Sequence, residues 1–295
     1  MSRGEIMNLS DNDKKFLELY SDSKYQKPSV TIDAVIFRLK DIASNNYRKL
    51  PEKKLQVYLT KREYSPFKDY YGIVGTFIDL NFELSDTMKK CVQKKVGLNN
   101  FYSEQLFTFG EKARDPRTRV ISCSYLLLTN EEENLTNGEW FNIDINEKTL
   151  NKEQNKNGFS IKKEIEINLS NKELTLKNKI TVSIIKSNLE ENKNVEIVQN
   201  SLAFDHIKII YYALERLKNK LEYTDIVFNL MPKEFSLTEL KNSYETILGE
   251  KLLDANFRRK TAKLVYPTTN FITGKGHRSS QLFTHNPLWD IINLD

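Results

Sequence analysis

Ser236–Thr284 reads SLTELKNSYETILGEKLLDANFRRKTAKLVYPTTNFITGKGHRSSQLFT, and its punctuation decides the fold of the C-terminal part of the chain. Ser236 followed three residues later by Glu239 is a capping box. The hydroxyl accepts the N–H of the third helical residue, and the glutamate reaches back to the cap's own N–H. The helix so opened ends at Gly249, the residue type that best tolerates the left-handed turn closing a helix. Asp254 caps a second helix, Ala255–Leu264, on which Phe257 and Leu264 face inward. Val265–Ile272 and Ser280–Thr284 flank a glycine-rich turn, Thr273-Gly274-Lys275-Gly276, and form a hairpin. Helices followed by a hairpin with a basic tip are the order of a winged helix-turn-helix.

Charge is concentrated in the same stretch. From Lys251 to Arg278 the cations are Lys251, Arg258, Arg259, Lys260, Lys263, Lys275 and Arg278, and Asp254 is the only acid. That local surplus exceeds the whole chain's net charge of +5. In a regular helix Arg258, Arg259 and Lys263 point outward, next to Lys260, and an exposed helix carrying arginines suits the major groove, where Arg pairs bidentately with guanine. Lys275 and Arg278 at the hairpin tip reach phosphates or the minor groove. Basic surface helices are also common as plain solvated faces in a chain with 45 lysines and arginines. The order of elements favours double-stranded operator DNA as the partner. Operators of this kind are usually two-fold, so a homodimer is expected.

Outward from this segment, Phe204–Leu221 has an apolar stripe at helical spacing (Ile207, Ile210, Tyr211, Leu214, Leu217). Thr224–Leu230 is expected as a further short helix, stopped by Pro232. The N-terminal part alternates strands and one helix. Thr31–Leu39 and Lys54–Lys61 are strands, and Leu84–Lys95 is a helix ending at Gly97. Gln105–Phe109 and Val120–Thr129 are strands around a charged loop, Glu111–Arg119. Trp140–Ile143 is expected as a short strand and Asn151–Asn157 as an exposed loop. Phe159–Leu169 and Leu174–Ile185 are strands joined at Asn171–Lys172, and the charged SNLEENKN after Lys186 is expected to approach the interdomain connection. The fold class is α+β: a tail over 1–28, a first domain over 29–195 and a second over 200–290.

Composition excludes several classes. No stretch approaches the twenty or so apolar residues that span a bilayer, and the N-terminus has no apolar signal-peptide core. A cytoplasmic protein is expected. Cys91 and Cys123 have no metal-type spacing and are expected to be reduced rather than paired. His206, His277 and His285 are too scattered for a zinc cluster. Neither metal nor cofactor is expected.

Three segments carry a likeness to a known family: Gly75–Leu98 (GTFIDLNFELSDTMKKCVQKKVGL), Glu104–Leu128 (EQLFTFGEKARDPRTRVISCSYLLL) and Leu202–Phe283. Pro28–Leu128 resembles a Nudix domain, and the whole is similar to the Nudix-related transcriptional regulators of the NrtR type. The resemblance implies a Nudix-type α/β/α sandwich followed by a winged helix. It also implies a small-molecule effector, ADP-ribose or a related nucleotide, with a sugar as the other precedent. The Nudix motif itself departs from pattern. Anchored on Val96-Gly97-Leu98, its Arg-Glu pair falls on Lys90 and Cys91, its two following glutamates on Lys94 and Lys95, its upstream Glu on Phe82 (with Glu83 one place off) and its opening glycine on Thr76, beside Gly75. Hard carboxylate ligands must gather Mg²⁺ against a diphosphate, whereas a thiol is a poor Mg²⁺ ligand. The chain is therefore not expected to be an enzyme.

The candidate ligand set implied by the resemblance is Arg62, Gly75, Lys94, Lys95, Arg114, Asp115 and Arg117. The two lysines either replace the metal's charge toward phosphates or are solvated residues of the helix. The arginines either meet a ligand or close ion pairs at a dimer surface. The competing readings are an active Nudix hydrolase of ADP-ribose or another nucleoside diphosphate derivative, and a pseudoenzyme that binds protein or RNA.

Overall fold

A computed structural model of the chain describes residues 10–21, 23, 26–42, 51–131, 135–188, 191–272 and 279–289. A short helix, α1 (Asp11–Leu19), precedes the main sheet. The N-terminal strands are β1 (Ser29–Ile42), β2 (Glu52–Lys61), β3 (Tyr71–Gly72) and β4 (Val74–Phe77), followed by helix α2 (Leu84–Val96), β5 (Tyr102–Phe109) and β6 (Val120–Leu128). Four long strands then run back and forth: β7 (Glu139–Asn155), β8 (Gly158–Ser170), β9 (Thr175–Ser187) and β10 (Glu191–Gln199). The sheet order is β10-β9-β8-β7-β2-β1-β6-β5, with β3 on β2 and β4 on β1. β1 and β6 run parallel, while β1 pairs antiparallel with β2 and β4.

Strand alternation makes this sheet two-faced. On β1, Ile32, Ala34 and Ile36 point to one side, where Met88, Val92 and Val96 of α2 cover them together with Tyr58 and Val74. α2 ends as its sequence requires, with Gly97 at φ 79° donating its N–H to the Gln93 carbonyl. Val35 and Phe37 point to the other side, into a cluster with Ile207, Ile210, Leu214 and Leu217 of α3 (His206–Tyr223). Each such fully buried aliphatic side chain contributes roughly 1.5–3 kcal/mol by leaving water. The sheet is thus packed between two helices, the α/β/α arrangement.

The cluster on the α3 side continues without a break into the C-terminal elements. These are a 3₁₀ turn (Ile226–Leu230), β11 (Phe235–Ser236), α4 (Leu237–Leu248), α5 (Asp254–Thr261), β12 (Val265–Ile272) and β13 (Ser280–His285). The last three strands form a small sheet in the order β11-β13-β12. Leu240, Tyr244, Phe257 and Leu264 fill the core between α4, α5 and the hairpin. α4 also leans on the large sheet, where Thr246 Oγ1 donates to the Lys53 carbonyl at 3.3 Å. The capping box is present: Ser236 Oγ accepts from Glu239 N–H at 3.1 Å, and Glu239 Oε2 accepts from Ser236 N–H at 2.7 Å.

Six expectations are corrected. The short strand at Trp140–Ile143 is the start of a 17-residue strand. The expected loop at Asn151–Asn157 is largely the end of β7, paired with β8 to Asn155↔Gly158. The expected connection after Lys186 holds β10, an edge strand on β9. Thr224–Leu230 forms a 3₁₀ turn rather than an α-helix. Leu253, not Asp254, stands at the N-cap of α5, and Asp254 lies in the first turn, paired with Lys241. The helix proper ends at Thr261, with a 3₁₀ turn over Ala262–Leu264.

Candidate functional site

A cavity of about 790 Å³ opens where β1, β2, β4 and the β5–β6 loop meet the start of α3. Of the seven candidate ligand residues it brings together six: Arg62, Gly75, Lys95, Arg114, Asp115 and Arg117. Lys94 is exposed near the end of α2 and does not line it, so the two lysines do not act there as a pair. Another cleft, about 710 Å³ between β2, β7 and α4, contains none of the seven.

The floor rests on Asp33, the lone acid in the apolar run of β1. It accepts from Ser122 Oγ at 2.5 Å and lies 3.5 Å from an Arg114 nitrogen. Gly75, its register partner on β4, has no room for a side chain. A Cβ there would sit 2.9 Å from the Ile32 carbonyl oxygen and closer still to Asp33 Oδ1. Lys95 reaches back from α2 and donates to the Gly75 carbonyl at 2.5 Å, so the position expected to hold a metal-binding glutamate carries a cation fastened to the cavity's backbone.

The three loop residues have distinct jobs. Arg114 is buried, its side chain 5% exposed, and donates to both oxygens of Asp205 at 2.8 and 2.9 Å. Burial opposes its charge, but the Asp205 hydrogen bonds and the charges of Asp205 and Asp33 outweigh that and raise its pKa above the ordinary value. Arg114 therefore bolts the loop to the N-terminus of α3 and has no free face for a phosphate. Asp115 is held by both Arg117 nitrogens at 2.7 and 3.0 Å and by the Arg117 N–H. Burial works against its charge, and those hydrogen bonds outweigh it to keep the carboxyl below its usual range. Arg117 stays more open, its side chain 44% exposed, and turns toward Phe77 and Phe204.

Arg62 and, beyond its pair with Asp115, the half-exposed Arg117 are the guanidiniums left open to a ligand. Arg62 donates from Nε to the Pro66 carbonyl at 3.0 Å, its Cζ lies 4.7 Å from the Phe204 ring centre, and among the described residues it forms no ion pair with a carboxylate. Burial, and next the neighbouring Arg117 charge, lower its pKa. Two guanidiniums sharing a cavity repel one another, and an anion between them relieves both.

Four functional residues escape the sequence reading. Asp33 carried the one available signal, an acid in an otherwise apolar strand. Phe204, Asp205 and His206 looked like the unremarkable start of a core helix. In the structure Phe204 has φ 50°, Asp205 takes Arg114, and His206 Nδ1 accepts the Ile73 N–H at 3.2 Å. Burial lowers the His206 pKa, so the ring is neutral at pH 7 and accepts as this geometry requires.

At the C-terminal end Arg258, Arg259, Lys260 and Lys263 are all exposed and none forms an ion pair among the described residues. Lys260 and Lys263 lie over the Tyr244 and Trp289 rings at 5.5 and 5.2 Å. Lys251, counted with them in the sequence, is neutralised by Glu245 at 2.7 Å, and Glu245 also accepts from Leu252 N–H to hold the α4–α5 turn. Lys275 and Arg278 lie outside the described residues.

A helix-sheet-helix sandwich with a cationic, aromatic-lined cavity, joined to a 3₁₀ turn, two helices and a hairpin, defines the class: a Nudix-type domain followed by a winged helix. Residues 227–284 match the model of the NrtR DNA-binding winged helix domain. A relative from Acinetobacter baylyi, the ADPR responsive transcriptional repressor NtrR, is 27% identical over 283 residues, 92% of this chain and 88% of its own. Two crystal structures share the fold. A MutT/nudix family protein from Enterococcus faecalis has TM-score 0.62 and 21% identity, covering 94% of each chain. Shewanella oneidensis NrtR has TM-score 0.57 and 23% identity, covering 88% of this chain and 94% of its own. Over most of its length the chain is similar to Nudix-related proteins of the NrtR type.

Proposed function

We propose that the protein is a DNA-binding transcription regulator that responds to ADP-ribose or a closely related nucleotide held in the 790 Å³ cavity. The observation that carries this is α5 and the 3₁₀ turn after it, where Arg258, Arg259, Lys260 and Lys263 are exposed, have no carboxylate partner among the described residues, and stand inside a segment matching a DNA-binding winged helix domain. The cavity's chemistry supports the effector. Arg62 and Arg117 offer planar donors to phosphates, and Phe204 and Phe77 offer faces to a base. The responsive relative from Acinetobacter baylyi supports the same ligand. A homodimer acting on two half-sites in the cytoplasm completes the reading.

Hydrolysis is not part of it. The donor set at the motif positions does not fit Mg²⁺: Lys94 and Lys95 stand where two glutamates are required, and Cys91 is a buried thiol whose pKa burial pushes up. The test uses gel-shift titrations of DNA from upstream of the protein's own gene, at two salt concentrations, with and without ADP-ribose. Binding that weakens with salt and changes with ADP-ribose is expected. Rapid Mg²⁺-dependent cleavage of ADP-ribose would overturn the reading in favour of a hydrolase.

A further inference from the structure

We infer that Phe204 is a positioning residue that converts occupancy of the cavity into movement of α3; this rests on the effector reading above. Phe204 sits in the left-handed region at φ 50°, where a phenylalanine persists only if its surroundings hold it. What holds it is visible. Its ring lies under Arg62 at 4.7 Å and Arg117 at 5.6 Å, touches Phe67 at 4.7 Å and His206 at 5.4 Å, and its carbonyl accepts from Asn200 Nδ2 at 2.6 Å. The cavity's two candidate anion-binding side chains are thus also the clamps on a strained backbone position.

That position directly precedes Asp205, the N-cap of α3. Asp205 and His206, immediately after it, are tied to Arg114 and to the Ile73 N–H. Ala203, immediately before it, donates its N–H to the Tyr71 carbonyl at 2.8 Å. A change of φ at 204 therefore redirects the chain between two anchored points, and the first turn of α3 must reseat. α3 packs on α4 and shares one apolar cluster with α4 and α5, so the displacement is passed to the DNA-binding helices. An anionic group is a stronger partner for a guanidinium than a ring face is. A phosphate in the cavity draws Arg62 and Arg117 off the ring and releases the clamp. Left-handed and ordinary φ are the two discrete states that such coupling needs.

The test compares the full-length protein with its Phe204→Gly and Phe204→Tyr variants, using calorimetry with ADP-ribose and amide hydrogen exchange at saturating ADP-ribose. In the wild type, ligand changes exchange in the first two turns of α3 and in α5, by about fivefold or more for a coupling of ordinary strength. Glycine adopts the left-handed conformation without a clamp, so Phe204→Gly, which binds ADP-ribose more weakly for want of the ring and is therefore compared at saturation, shows no α3 exchange response. Phe204→Tyr keeps the ring and restores the response. If Phe204→Gly does not fold, Asn200→Asp, which removes the Nδ2 donor to the Phe204 carbonyl and lies outside the cavity lining, shows a reduced α3 response at unchanged ADP-ribose affinity. A bound Phe204→Gly protein whose α3 responds like the wild type overturns the inference, as does a wild type that binds ADP-ribose with no change in α3. A flat wild-type titration defeats the effector reading itself, and the inference falls with it.

Discussion

Replacing Arg114 by leucine strands two carboxylates, Asp33 and Asp205, whose side chains are only 10% and 9% exposed. Removing one partner of a buried ion pair costs about 3–5 kcal/mol, because the remaining charge has neither water nor a counter-ion. Urea unfolding of Arg114→Leu should show a loss of that size, and Asp205→Asn in the same background should recover part of it. An unchanged midpoint would mean that the loop is not bolted to α3 at all. His206 sets a pH limit on the same corner. Its folded pKa is lowered from 6.5 by burial, against the nearby Asp33 and Asp205 and together with Arg114 and Arg62. The unfolded chain therefore binds the extra proton first, so this contribution to stability is complete above pH 6.5 and is lost as pH falls through the folded value. Thermal unfolding between pH 7.5 and 5.5 should show a falling midpoint, and His206→Asn, which keeps an acceptor for the Ile73 N–H but does not titrate, should flatten that slope. Equal slopes in the two proteins would remove His206 as the cause.

Helix α4 owes its starting point to two reciprocal hydrogen bonds in the capping box. Ser236→Ala removes the acceptor for Glu239 N–H and should cost about 1 kcal/mol, read as a shift in urea midpoint; Ser236→Asp, which still caps, should recover most of it. This device was legible because capping is local chemistry between residues three apart, and the same holds for Gly249, Gly97 and the hairpin strands. The outer half of β7 and all of β10 were not legible. Periodicity marks a strand by its one buried face, and over Asp144–Asn155 both faces are exposed wherever burial is described, so asparagine, lysine and glutamate alternate with nothing to contrast against. Pairing with β8 and β9 makes those segments strands, and pairing is a tertiary fact. The cavity divides in the same way. Arg62, Gly75, Lys95, Arg114, Asp115 and Arg117 came from motif resemblance and do meet in space. That Arg114 serves structure while Arg62 stays open depends on Asp205, 91 residues away, which no spacing reveals.

For the whole molecule, the decisive quantity is which cations are available to a polyanion, and the structure divides residues that the sequence had grouped together. Arg258, Arg259, Lys260 and Lys263 are exposed and have no carboxylate partner among the described residues, whereas Lys251, although its side chain is 90% exposed, is paired with Glu245. Each cation that contacts a phosphate releases condensed counter-ions, so the slope of log K against log salt concentration becomes shallower by about 0.9 for each contact removed. Arg259→Ala or Lys263→Ala, if a phosphate is its partner, should flatten the slope by about that amount and weaken all DNA sequences alike. An arginine that reads a guanine behaves differently: its loss costs roughly 1–3 kcal/mol on the preferred sequence and little elsewhere. Lys251→Ala is the control that separates ion-pair accounting from simple charge counting. Its charge is already neutralised within the protein, so its slope should match the wild type within error, and gel-shift titrations at four or five salt concentrations would resolve the difference. Should Lys251→Ala flatten the slope as much as Arg259→Ala does, net charge rather than the arrangement of α5 governs DNA binding, and the assignment of α5 as the recognition face loses its support.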